Sequence, residues 1–153
     1  ADDTLLAGIA TIVRPDYFQA HGREDAGRVA AMASATGVPV IKAIKIEGPA
    51  DLDRAKPYRD AAAMMLFDAE APAALAGALP GGNGIAFDWT LLSRDGAPRR
   101  FMLAGGLNAA NVRQAIETTG APIVDVSSGV ESAPGVKDAG LIRKFIEAAH
   151  AAG

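Results

Sequence analysis

The stretch "PIVDVSSGVESAPGVKD", residues 122–138, starts as a buried strand and ends as a loop with unusual chemistry. After the apolar run Pro122-Ile123-Val124 come Asp125, Val126, two serines and a glycine, before any helix begins. A strand that only has to stop needs a single Gly or Asn. Two hydroxyls and a glycine at a strand end instead offer several donors to an anion. Glycine allows close backbone approach, hydroxyls add donors, and a following helix N-terminus favours negative charge.

A second stretch, "FMLAGGLNAANV" (101–112), ends its strand in the same way, with Gly105 and Gly106 ahead of Asn108, the expected N-cap of the next helix. Taken alone, either loop reads equally as a tight strand-to-helix turn. Two consecutive strands ending so point to a phosphate cradle made of Gly105, Gly106, Ser127, Ser128 and Gly129. Asp125 shares a face with Ser127 and is placed to contact a substrate hydroxyl or orient the loop.

Working outward, short apolar runs at 17–20, 38–46, 62–67, 101–104 and 122–126 alternate with amphipathic stretches at 26–36, 50–58, 108–118 and 137–152. Strands alternating with helices predict parallel βαβ units, and nearly all-apolar runs predict strands covered on both faces. Asp2-Asp3-Thr4 predicts a helix cap, followed by Leu5, Leu6, Ile9, Ile12 and Val13 at helical spacing. A helix with no strand before it suggests that strand-helix units precede it. Five strands suit an open doubly wound sheet or part of an eight-stranded barrel. The loops after the last two strands favour the barrel, in which a phosphate sits between the loops after strands seven and eight.

Composition narrows the function. The chain has 153 residues, enough for one domain, with half of them hydrophobic, no cysteine, two histidines and a net charge of −3. That balance gives no electrostatic footprint for nucleic acid. Without a long apolar span or a signal peptide, the expectation is a cytoplasmic protein that does not enter membranes. Disulfides, thiolate metal sites and a cysteine nucleophile are excluded within the chain, and His21 and His150 are too far apart to suggest a metal site. The "GGNG" at 81–84 lacks the Lys-Ser/Thr of a P-loop.

Taken in order, "FQAHG" (18–22), "PVIKAI" (39–44), "MLFDA" (65–69), "PGGNGIAFDW" (80–89), "LAGGLNAANV" (103–112) and "VDVSSGVESAPGVKD" (124–138) resemble the phosphoribosylanthranilate isomerases of tryptophan biosynthesis. The resemblance covers essentially the whole chain, and the run through "DVSSGVE", "PG" and "KD" is its most specific part. It implies a TIM (βα)8 barrel of which this chain supplies strands four to eight, as a C-terminal portion in a single domain. It implies an Amadori rearrangement of N-(5-phosphoribosyl)anthranilate with no redox cofactor and no metal, and a phosphosugar-anthranilate small molecule as the partner.

Asp68, the first charged residue after its apolar run, is then the general acid that opens the furanose ring, its plainer alternative being a helix cap or loop salt bridge. His21 alternates with Gln19 and faces the site if either does, opposite Phe18 and Ala20. Lys42, inside an apolar strand, calls for a buried carboxylate partner rather than a catalytic role. The family's base is a cysteine in a Lys-Ile-Cys-Gly strand, which has no counterpart here, so the segment alone is expected to be inactive. The glycine-rich stretch 79–89 resembles the family's loop over the site, with Asn83 where Thr or Ser is usual and Ile85-Ala86 where Lys-Thr is usual. Asp88 is expected to cap the next helix and Trp89 to pack in the core. Two other readings stay open: a different phosphosugar barrel of tryptophan or histidine biosynthesis, and a non-catalytic partial barrel that binds phosphate.

Overall fold

Why the chain folds as it does is clearest at its helix starts. In the computed structural model, which describes residues 2–69, 89–93, 98 and 100–152, Asp2, Asp25 and Asp138 each sit just before a helix. Each carboxylate accepts a hydrogen bond from the backbone N–H three residues on, Leu5, Arg28 and Leu141 respectively. These caps satisfy donors that the helix itself leaves unpaired. They open α1 (Asp3–Ile12), α2 (Ala26–Thr36) and α5 (Ala139–His150). Two further helices are α3 (Pro49–Asp53) and α4 (Val112–Thr119).

The strands β1 (Phe18–Ala20), β2 (Val40–Lys45), β3 (Met64–Asp68), β4 (Phe101–Ala104) and β5 (Ile123–Val124) form one sheet in sequence order. Every pairing is parallel, with Gln19 beside Ile41, Lys45 beside Asp68, Asp68 beside Ala104 and Leu103 beside Val124. All strand C-termini therefore leave the sheet on the same edge, and the loops that follow them meet there.

Alternation along the strands divides the apolar residues between two faces. Ile41, Ala43, Met64, Leu66 and Ala104 cluster on one face, with Met102 and Ile123 against them. On the other, Ile44, Ile46, Met65, Phe67 and Leu103 pack against Leu107, Val112, Ala115 and Phe145. The Phe67 and Phe101 rings lie 5.6 Å apart at 57°, a tilted pair contributing about 0.5–1.5 kcal/mol beyond area burial. Near β1, Leu6 of α1 joins Ala20, Val29, Met32 and Val40. The first face is the one that carries the site.

Several expectations are corrected in detail. Asn108 is not the N-cap of α4. Its side chain accepts from the Ala110 N–H two residues on, the Asn111 side chain turns back to accept from the Asn108 N–H at 2.8 Å, and Asn111 takes the cap position. The helix expected over 50–58 breaks into α3 and a 3-10 turn at Lys56–Tyr58, where Pro57 has no N–H to continue the ladder. In α1 only Leu6 is buried, and Ile12 and Val13 are exposed. Ile142 and Ile146 of α5 are likewise exposed, while Phe145 is buried. Residues 131–137 form a small antiparallel hairpin, β6 (Glu131–Ala133) with β7 (Val136–Lys137), turning at Gly135 with φ 79°. Trp89 packs against the core, its buried Nε1–H meeting no acceptor among the described residues. The sequence features at 79–88, including Asn83, Ile85-Ala86 and the Asp88 cap, lie outside the described residues.

Among the described residues no helix is long and apolar enough to cross a membrane, and no group of His, Cys, Asp or Glu is arranged to hold a metal ion.

Candidate functional site

At the C-terminal ends of the strands, one cavity of about 220 Å³ is lined by His21, Asp68, Gly105, Gly106, Asp125, Ser127 and Ser128. The end of β3 and the loops after β1, β4 and β5 supply these residues. Leu66 and Ala104 form its floor, and Leu107 and Val126 complete the wall. Seven of the eight residues singled out from the sequence thus meet in one place. The eighth, Gly129, does not line the cavity. It lies against the Leu107 carbonyl, where any Cβ would overlap that oxygen. Its role is to let the last loop close onto the one before it.

Asp68 ends β3 with its side chain 22% exposed, and His21 Nε2 stands 3.4 Å from Asp68 Oδ2. Behind the imidazole, His21 Nδ1 is 3.1 Å from Gln19 Nε2, so Gln19 and His21 do share the site face. Of the plainer alternatives for Asp68, the salt bridge has a partner in the imidazole of His21, which lines the same cavity, and the residues that a cap would open lie outside the described ones. The same two residues border a second, larger space of about 640 Å³, with Lys45, Arg54 and Tyr58 on its far side. Asp68 and His21 therefore stand where two spaces meet.

The glycine loop is tied to the acid. Gly105 has φ 94° and Gly106 φ 61°, values that side chains rarely adopt. A Cβ at Gly105 would lie 2.6 Å from the Ala69 backbone and 2.7 Å from Asp68 Oδ1. Asn111 Nδ2 donates to the Gly106 carbonyl at 3.0 Å and holds it on the helix side. The Gly105 and Gly106 N–H groups have no acceptor among the described residues.

The last loop continues the β5 ladder through the Asp125 N–H, which donates to the Leu103 carbonyl at 2.8 Å. Asp125, Ser127 and Ser128 are exposed, and a 3-10 turn runs over Ser128–Val130. Lys137 of the hairpin straps this loop: its ammonium donates to the Ser127 carbonyl at 2.8 Å, to Ser127 Oγ at 3.1 Å and to Glu131 Oε1 at 2.6 Å. The Lys137 hydrogen bond, with help from the Gly135 N–H, holds the Glu131 carboxyl below its usual pKa. Lys137 was legible only as part of the "KD" motif, because its strap depends on a hairpin that brings residues ten apart into contact.

Lys42 is buried with its ammonium 3.0 Å from Glu24 Oε2. A carboxylate partner was expected, although Glu24 itself is only partly buried.

Comparison with known proteins shows what the chain is similar to. Residues 2–148 match the family model described as N-(5'-phosphoribosyl)anthranilate (PRA) isomerase. The N-(5'-phosphoribosyl)anthranilate isomerase of Rhodospirillum centenum is 51% identical over 150 residues, 98% of this chain and 70% of that protein. The crystal structure of the Thermotoga maritima phosphoribosyl anthranilate isomerase superposes with a TM-score of 0.82 at 36% identity, over 99% of this chain and 69% of that one. A phosphoribosyl anthranilate isomerase solved with reduced 1-(o-carboxyphenylamino)-1-deoxyribulose 5-phosphate has a TM-score of 0.78 at 33% identity, covering 99% of this chain and 68% of that one. These matches run over nearly all of this chain, and the expected assignment to a C-terminal portion is not borne out by them. Together they show that the chain belongs to the N-(5'-phosphoribosyl)anthranilate isomerase family.

Proposed function

We propose that this chain carries the general acid and the phosphate cradle for the isomerisation of N-(5'-phosphoribosyl)anthranilate to 1-(2-carboxyphenylamino)-1-deoxyribulose 5-phosphate, in tryptophan biosynthesis. The observation that supports it best is the single cavity in which Asp68 and His21 face the two anion-binding loops. The product-like ligand of a family member, a carboxyphenylamino sugar phosphate, has the chemistry such a cavity suits. We propose also that the five parallel strands are a consecutive run from a (βα)8 barrel. Their sequence-order pairing and the loops gathered at one edge support this.

The phosphate is held by the Gly105 and Gly106 N–H groups from one side and by the Ser127–Ser128 turn from the other. With the phosphate so placed, the furanose lies over Leu66 and Ala104 and its ring oxygen comes within reach of Asp68. Asp68 gives its proton to that oxygen. The C1–O bond breaks as the anilino nitrogen lone pair forms a C=N bond, leaving an open-chain Schiff base. Loss of the C2 proton to a base then delivers the enolamine, which tautomerises to the ketone. His21, 3.4 Å from the acid, fixes the carboxylate's orientation, and Asp125 accepts from a substrate hydroxyl. The chemistry asks for proton transfers and charge placement only.

The test is Asp68→Asn in the intact enzyme. Removing a positioned acid costs about 10²- to 10⁴-fold in kcat while KM stays within a few-fold. Turnover close to the parent's would move the acid elsewhere, with Asp125 the next carboxyl in the cavity.

A further inference from the structure

Behind the β1 loop lies a buried charge that the chemistry above does not use. Lys42 is only 3% exposed, in the middle of β2 and on the opposite sheet face from Ile41 and Ala43. A buried ammonium is stable only where oxygen partners replace its water. Lys42 has three: the Ala20 carbonyl at 3.3 Å, the Gly22 carbonyl at 2.8 Å and Glu24 Oε2 at 3.0 Å. Two of these carbonyls flank a single residue, His21.

The other contacts tighten the same loop. Glu24 Oε2 also accepts from the Gly22 N–H at 2.9 Å, and a Cβ at Gly22 would lie 2.8 Å from Glu24 Oε1. Tyr58 donates its hydroxyl to the Glu24 carbonyl at 2.8 Å and offers its ring face to the Lys42 ammonium at 5.7 Å. Burial would raise the Glu24 pKa, but hydrogen bonds from backbone N–H groups and from Lys42 outweigh it and hold the carboxyl below its usual value. Glu24 thus stays ionised.

We infer that Lys42 is a positioning residue for the reaction: by clamping the carbonyls on both sides of His21, it holds the imidazole against Asp68. Lys42 and His21 both border the larger space, but only His21 lines the cavity beside Asp68, so the ammonium acts through the loop backbone. The inference rests on the reading of Asp68 as the acid, and the experiment keeps the two apart.

The experiment is a double-mutant cycle in the intact enzyme between Lys42→Met and His21→Asn, with kcat and KM measured separately and amide hydrogen exchange followed over residues 20–25. Lys42→Met is expected to lower kcat about tenfold or more with KM within about threefold, and to speed exchange at Gly22 and Glu24. In the His21→Asn background the same substitution is expected to cost less than about twofold, because its route to the acid has gone. Glu24→Gln, which leaves both carbonyl contacts in place, gives a smaller loss with the same dependence on His21, and it carries the cycle if Lys42→Met does not fold. An equal cost in both backgrounds overturns the inference, as does an unchanged kcat or a rise in KM that accounts for the whole loss. Failure of the acid assignment reads differently: Asp68→Asn then keeps its turnover whatever the cycle shows.

Discussion

Gly105→Ala probes whether the phosphate loop and the acid are one mechanical unit. At φ 94°, alanine lies outside even the left-handed well, a strain of about 1–3 kcal/mol. Its methyl would also sit 2.6 Å from the Ala69 backbone, where ordinary contact begins at 3.4 Å. Overpacking of that size costs about 1–3 kcal/mol more, since backbone rather than a flexible side chain has to yield. The combined loss of about 2–6 kcal/mol lowers the melting temperature by about 5–20 °C for a chain of this size. The same methyl meets Asp68 Oδ1 at 2.7 Å, so the carboxylate moves as well. A displacement of about 1 Å at the reacting groups is worth about 10²-fold in turnover.

Gly106→Ala is the control. Its φ is 61° and its Cβ would meet nothing within 4 Å, so the cost is about 1–2 kcal/mol of left-handed strain. Its effect falls on KM rather than kcat. Calorimetry and steady-state kinetics on the two variants decide the matter. A Gly105→Ala enzyme melting with Gly106→Ala and keeping kcat within about threefold would refute the coupling of loop to acid.

Two further outcomes follow from the same loops. Ser128→Val, with Gly106→Val beside it, should weaken competitive inhibition by inorganic phosphate about tenfold or more and raise KM, and an unchanged inhibition constant would take the anion away from this cradle. Asp51 accepts from the Glu47 N–H at 2.7 Å and the Gly48 N–H at 3.0 Å, bonds that hold its pKa below the ordinary 3.8. A carboxyl depressed in the folded state stabilises above its unfolded pKa and loses that contribution as pH falls through the folded one, so Asp51→Asn should cost about 1 kcal/mol at pH 6 and progressively less below pH 3.8 in thermal melts.

The parts of the molecule legible in the sequence are those with local causes. The helix cap at Asp2 announces itself because a carboxylate just ahead of an apolar stripe has one obvious use, whereas the caps at Asp25 and Asp138 were seen only in the structure. The strands were visible as apolar runs, and Asp68, Gly105, Gly106, Ser127 and Ser128 because polar or special residues at the ends of such runs stand out. Gly129 stands outside the cavity lining, against the Leu107 carbonyl. A glycine in a serine-rich turn suits anion contact and close packing equally, and the close approach to the Leu107 carbonyl was not legible because it depends on a residue 22 positions away. Asn108 and Asn111 compete for one cap, and the winner depends on which side chain turns back. The β6–β7 hairpin was hidden because two-residue strands bury too little to leave a pattern.

What the site owes to distant pairing appears in how each loop is held. Lys42 clamps the loop after β1, Asp51 the loop after β2, and Lys137 the loop after β5. The loops after β3 and β4 lie against each other at Ala69 and Gly105. Three of these supports are charged groups bonded to backbone, and none of the three lines the smaller cavity. Charge-assisted bonds to backbone fix loop position without occupying space where the substrate must sit. Small residues then face inward at Ala104, Gly105 and Gly106, leaving Asp68 and His21 as the bulky polar pair beside them. On this arrangement, disturbing a strap should slow turnover more than it weakens phosphate capture when the loop carries His21, and do the reverse when it carries Ser127. Lys42→Met and Lys137→Met compared in the same assay separate the two: about tenfold or more in kcat for the first, and a similar factor in KM for the second. Equal shifts in both constants for both variants would mean that the straps support the fold as a whole rather than individual loops.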